Sequence, residues 1–148
     1  MMRRHRSVRT NALAVLLVGL ICSAAVTTGC SAKDLAIRSL VLANQERAKR
    51  SVAPLYWDDE AAAKAEDWAA RMAAQRTISH SVITDGIVTG WRVLGENVGA
   101  GTSVEAIHRA FMNSPRHRAV LLAGKYHRLG VGVAERDGDY YVAQVYRG

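Results

Sequence analysis

The stretch Leu129–Arg147, LGVGVAERDGDYYVAQVYR, decides the fold of this 148-residue chain. Its two runs, Leu129–Glu135 and Tyr140–Arg147, alternate apolar with small or polar residues. Between them stands Asp137–Gly138, a dipeptide favoured in type I′ turns because both positions need positive φ. The stretch reads as an antiparallel hairpin. Leu129, Val131 and Val133 share one face, whereas Gly130, Gly132 and Ala134 leave the other nearly bare, so a helix is expected to lie close over it. Helices followed by a carboxy-terminal hairpin indicate an α+β fold, with a further strand near Val98.

Just upstream, Ser114–Gly124, SPRHRAVLLAG, reads as a short helix with Ser114 as N-cap, Pro115 at its first position and Gly124 as its stop. His117, Val120, Leu121 and Gly124 fall at i, i+3, i+4 and i+7, so His117 shares the aliphatic face and points inward or into a pocket. Thr102 with Glu105 reads as a capping box opening another helix, on which Val104, Ile107 and Phe111 share a side. His108 falls at the edge of that stripe and is read as a surface residue. Nearer the amino terminus, Asp34–Arg50 is a helix with Ile37, Leu40, Val41, Asn44 and Ala48 on one face. Asn44 is either solvated at the stripe's edge or paired with buried backbone. Ser51–Trp57 is a connector, and Asp58 caps a second helix with Asp59 and Glu60 in its first turn. The small stripe Ala61, Ala65, Trp68, Ala69 and Met72 suits that helix to close packing. It frays near Thr77. Residues 78–94 then form a loop of a length that a compact domain keeps when it serves a site. That loop carries His80. The run Gly95–Gly101, GENVGAG, sets Glu96 among glycines that imply tight turns or close backbone approach.

The first 29 residues have the layout of an export signal: Arg3, Arg4, Arg6 and Arg9, an apolar run from Ala12 to Val26, then small residues. At about 15 residues the run is short for a membrane span, which needs about 20. Thr27–Thr28–Gly29–Cys30 is similar to a bacterial lipobox, so lipidation of Cys30 is the favoured form, with ordinary cleavage and free secretion as the alternative. Residues 30–34 are then a short tether and 35–148 one domain. Four of the 20 Lys and Arg residues lie in the signal and none of the 13 acids do, leaving 16 bases against 13 acids, a net +3. The basic residues are interleaved with acids, which argues against a nucleic-acid partner. Cys22 lies within the signal, so the exported chain can form no internal disulfide and must be held by its core.

His80, GENVGAG, SPRHR and LGVGVAERDGDYYVAQVY occur in an order that resembles a bacterial CAP (SCP-like) domain, of the superfamily of cysteine-rich secretory proteins, antigen 5 and plant pathogenesis-related proteins. Asn44 with Arg47, and Leu55–Tyr56–Trp57–Asp58, extend the match over Leu35–Gly148. The resemblance implies an α–β–α sandwich with a small antiparallel sheet and about four helices. It also implies an extracytoplasmic location and a central cleft lined by two histidines and two glutamates. Carried over by position, the histidine of the family's HS motif falls on His80, the glutamate of GEN on Glu96 and the second histidine on His117. His117 is chosen over His108 and His127 by its distance to the GVG strand. The second glutamate's place holds Ser114, and the family's disulfides are missing.

Two imidazoles and a carboxylate within reach of one another make a candidate zinc or copper site with open positions. The same trio serves equally as a polar network fixing the loop against the helix. No serine or cysteine stands in an evident nucleophile context, so a peptidase here would have to be metal-assisted. The expected function is that of an exported, non-enzymatic, monomeric binding module for a lipid or cell-envelope ligand. The alternatives are a metal-dependent hydrolase using His80, Glu96 and His117, and a structural or partner-binding envelope protein.

Overall fold

The computed structural model describes residues 30–88 and 90–148; the expected export signal, residues 1–29, lies outside them. The described chain runs α1 (Ala32–Ala48), β1 (Tyr56–Trp57), α2 (Asp59–Gln75), β2 (Leu94–Gly101), α3 (Val104–Asn113), α4 (Pro115–Leu122), β3 (Arg128–Arg136) and β4 (Asp139–Arg147). The strands form one sheet in the order β1-β3-β4-β2. β3 and β4 pair antiparallel around Asp137 and Gly138, both with positive φ as a type I′ turn requires. β2 pairs antiparallel with β4, and its other side is a sheet edge.

α2 covers one face of the sheet. Asp58 caps it, its side chain accepting from the Ala61 amide, and Ala61, Ala65, Ala69 and Met72 are buried against the strands. A Cβ on Gly130 or Gly132 would collide with the α2 backbone at Ala61–Ala62 and Ala65–Glu66, so the bare strip read in the sequence is the seat of this helix. α1, α3 and α4 cover the opposite face around Ile107, Phe111, Leu121, Val131, Val142 and Tyr146, each buried. The result is a three-layer α–β–α sandwich.

Two side chains of α1 fix the connections on that second face. Asn44 donates to the Leu55 carbonyl at 2.9 Å and accepts from the Leu55 amide at 2.8 Å, which is the backbone-paired alternative. Arg47 is fully buried, and among the described residues no carboxylate pairs with it. Its guanidinium donates instead to the carbonyls of Ala53, Leu121, Ala123 and Tyr126 at 2.7–3.0 Å, gathering the end of α4 and the approach to β3.

Several local expectations are corrected. The connector contains β1, two residues paired parallel with β3, so the sheet is mixed and not wholly antiparallel. Asn44's hold on Leu55 and the bond from the Tyr56 amide to the His127 carbonyl impose that register on a segment too short to show a period. GENVGAG is a regular strand without positive φ; Gly95 and Gly99 are there because the rings of Tyr126 and Phe111 lie where a Cβ would stand. α3 is capped by Ser103, one residue after the expected Thr102. Ser114 is the backbone N-cap of α4 but its hydroxyl makes no cap bond, and α4 stops at Leu122 ahead of Gly124. His108 is buried and not a surface residue, because α3 packs against α1 and the edge of its stripe is covered. Cys30, the one cysteine among the described residues, is exposed and unpaired. No helix among the described residues is long and apolar enough to cross a membrane.

Candidate functional site

The loop between α2 and β2 is pinned by side chains one turn apart on α2. Trp68 Nε1 donates to the Ser79 carbonyl at 2.7 Å, Lys64 Nζ to the Val82 carbonyl at 2.8 Å, and the Glu60 carboxylate accepts from the Val88 amide at 2.7 Å. Spacings of four place the three on one helix face. Their pattern was visible in the sequence, but all three partners are backbone groups, which no side-chain motif announces.

Held this way, the loop delivers His80 to Glu96 on β2. The imidazole Nδ1 lies 2.7 Å from Glu96 Oε1, the Ser81 amide donates to the same oxygen at 3.0 Å, and the Ser81 hydroxyl donates to Oε2 at 2.6 Å. Glu96's side chain is 4% exposed and that of His80 is 62% exposed. The carboxylate is thus an internal anchor that orients the ring, and Nε2 is the nitrogen left for an outside partner.

His117 reaches the same region from α4. It is half-buried, and its ring centroid lies 5.0 Å from that of Phe111. Burial lowers its proton affinity, and the positive charge of a protonated His80 lowers it further. Asn97 on β2 donates to the His117 carbonyl at 3.1 Å, tying α4 to the strand. Between the two histidines runs a groove of about 400 Å³ whose walls are largely apolar, including Ile78, Val98, Ala100, Ile107 and Phe111. It passes along the edge strand β2, with His80 and His117 in its walls and Ser114, whose hydroxyl makes no cap bond, beside them.

The structure therefore pairs His80 with Glu96 and brings His80 and His117 to one groove, but Glu96 stands behind His80 and not in the groove's lining. Among the described residues no three His, Cys, Asp or Glu side chains are grouped so as to hold a metal ion. Glu96 hydrogen-bonds His80 from behind, and the two imidazoles of His80 and His117 face the same groove.

A model of the Cysteine-rich secretory protein family (CAP) matches residues 40–146. Among solved structures, the chain is similar to an extracellular protein containing a SCP domain from Bacillus anthracis, at TM-score 0.69 and 25% identity over 78% of this chain and 40% of that one. An outer surface protein of Borrelia burgdorferi matches at TM-score 0.72 and 18% identity, over 79% of this chain and 94% of that one. A cysteine-rich secretory protein from Staphylococcus aureus matches at TM-score 0.65 and 22% identity, over 79% and 39%. This chain spans about two fifths of the Bacillus and Staphylococcus proteins. No curated protein sequence matches it.

Proposed function

The chain belongs to the cysteine-rich secretory protein (CAP) family, and from that premise we propose that it is an exported, non-enzymatic binding module whose groove takes a lipid or cell-envelope ligand. The observation that carries this reading is the apolar groove between His80 and His117. Apolar walls supply affinity for an acyl or similar chain, and a few convergent polar groups at the wall fix its orientation. The Bacillus relative is an extracellular protein, which supports an extracytoplasmic location. In this proposal residues 1–29 direct export and Cys30 carries the lipid anchor; a Cys30→Ser variant that stays in the membrane fraction would count against the anchor alone.

The hydrolase alternative has less support, because Glu96 spends both carboxylate oxygens on His80 and Ser81. The test of the binding reading is fluorescence titration with a dansyl-labelled fatty acid and, separately, with peptidoglycan fragments. Ala110 lines the groove from the exposed side of α3, so Ala110→Trp fills the groove without entering the core. Saturable binding by the wild type that Ala110→Trp abolishes is the expected result. Absence of binding to either probe, or binding indifferent to Ala110→Trp, would overturn the reading.

A further inference from the structure

Where the end of α1 meets α3 and α4, a second pocket of about 350 Å³ opens, sharing no residue with the groove. Arg50, Arg109 and Arg118 line it together with Glu46, His108 and Met112. Three guanidinium groups thus stand against one carboxylate. That carboxylate accepts from Lys49 Nζ at 2.7 Å and Arg50 Nη1 at 2.6 Å, and the same Nη1 donates to the Glu46 carbonyl at 2.9 Å, so Arg50 is partly committed and the unmatched charge rests chiefly on Arg109 and Arg118. Arg118 is held in place by a 3.0 Å bond from Nη1 to the Met112 carbonyl, which leaves its other N–H groups for a partner.

His108 supplies an independent observation. It lines the pocket, is 7% exposed, and its Nδ1 is buried without a hydrogen-bond partner. Protonation of Nδ1 would bury an N–H with nothing to accept it, so the favoured ring is neutral and carries its proton on Nε2. Burial also pushes its proton affinity down, against the smaller opposite pull of Glu46. In that tautomer the ring offers a donor and no positive charge.

We propose that this pocket is a binding site for a phosphate-type oxyanion, recognised by the arginine forks of positions 50, 109 and 118 with His108 as a neutral donor. Guanidinium groups match such oxygens in pairs, and surplus positive charge on a concave surface favours a multiply charged anion over chloride. The same chemistry is presented by free phosphate and by the headgroup of an anionic phospholipid. The proposal does not depend on the groove or its ligand.

The test uses the full chain in a Cys30→Ser background, so that no acyl chain carries it to a vesicle. Amide NMR titration with sodium phosphate is compared with sodium chloride at matched ionic strength, alongside flotation with phosphatidylglycerol and phosphatidylcholine vesicles. Arg50 and Arg109 are exposed, so Arg50→Gln/Arg109→Gln removes charge while leaving the core intact, which circular dichroism checks. For free phosphate, the expected result is saturable shifts at Arg50, His108, Arg109 and Arg118 that chloride does not reproduce, weakened at least about tenfold in the double variant. For a headgroup, phosphate leaves the pocket silent while phosphatidylglycerol vesicles alone retain the protein and the double variant is released. Phosphate shifts equal to those of chloride, together with flotation unchanged by the double variant, would overturn the proposal. So would saturable phosphate shifts centred elsewhere.

Discussion

Glu96 holds His80 from behind: the carboxylate on β2 receives the imidazole Nδ1 at 2.7 Å and both donors of Ser81, so one buried side chain joins the loop to the sheet. Glu96→Ala deletes the acceptor of three bonds at a side chain 4% exposed. The expected loss is about 1–3 kcal/mol of stability. Hydrogen exchange should rise at residues 79–82 before it rises in β3 or β4, and ligand binding in the groove should weaken with it. Exchange that rises uniformly would mean that Glu96 does not pin the loop.

The seam between α2 and the hairpin gives a sharper prediction. Gly132→Ala places a methyl group into the backbone of Ala65 and Glu66, atoms that belong to a helix and cannot rotate away. Overpacking of this kind costs typically about 1–3 kcal/mol and occasionally more. Gly138→Ala is a useful companion at the positive-φ turn, where the added methyl meets no neighbour and only the backbone is strained. Thermal unfolding should show the larger loss for Gly132→Ala.

Acid should weaken the fold through its histidines. Burial lowers the proton affinities of both His108 and His117 below the ordinary histidine value of 6.5. Their neutral forms contribute stability that is fully present above that value. As pH falls below it, the unfolded chain takes up protons that the folded chain refuses, and stability declines until the lowered folded-state values are reached. Urea midpoints should therefore fall as pH drops below the ordinary histidine value of 6.5. His108→Gln should reduce that slope without removing it, because His117 still titrates. A slope unchanged by His108→Gln would show that the burial of His108 has no energetic consequence.

Zinc calorimetry separates the two roles of the histidine pair. With Glu96 committed to His80 and Ser81, two imidazoles remain, and no site tighter than about 1 μM is expected. Tighter binding that disappears in His80→Ala/His117→Ala would favour the metal-dependent reading over the binding module.

The hairpin and the place of α2 were legible in the sequence because Asp137–Gly138 and the glycine strip at Gly130 and Gly132 are local signals with one geometric solution each. His80, Glu96 and His117 were legible as polar residues in apolar or glycine-rich settings, together with the resemblance to the family. What the sequence did not carry was the division of labour among them, since whether Glu96 faces the groove or stands behind His80 depends on the pleat of β2. The burial of His108 is likewise not local information: a residue at the edge of a helix stripe is buried or exposed according to its neighbour, here α1. β1 escaped because two residues cannot display a period of two.

The four carbonyls gathered on the Arg47 guanidinium form a cross-link between distant parts of the chain with no sulfur in it. A guanidinium keeps its proton at any ordinary pH, and thiol reagents do not touch it. With Cys30 exposed and unpaired, residues 30–148 contain no bond that a reductant could cut. The domain should thus mature without an oxidising compartment or a disulfide catalyst, and keep its shape on either side of a membrane whatever the redox state there.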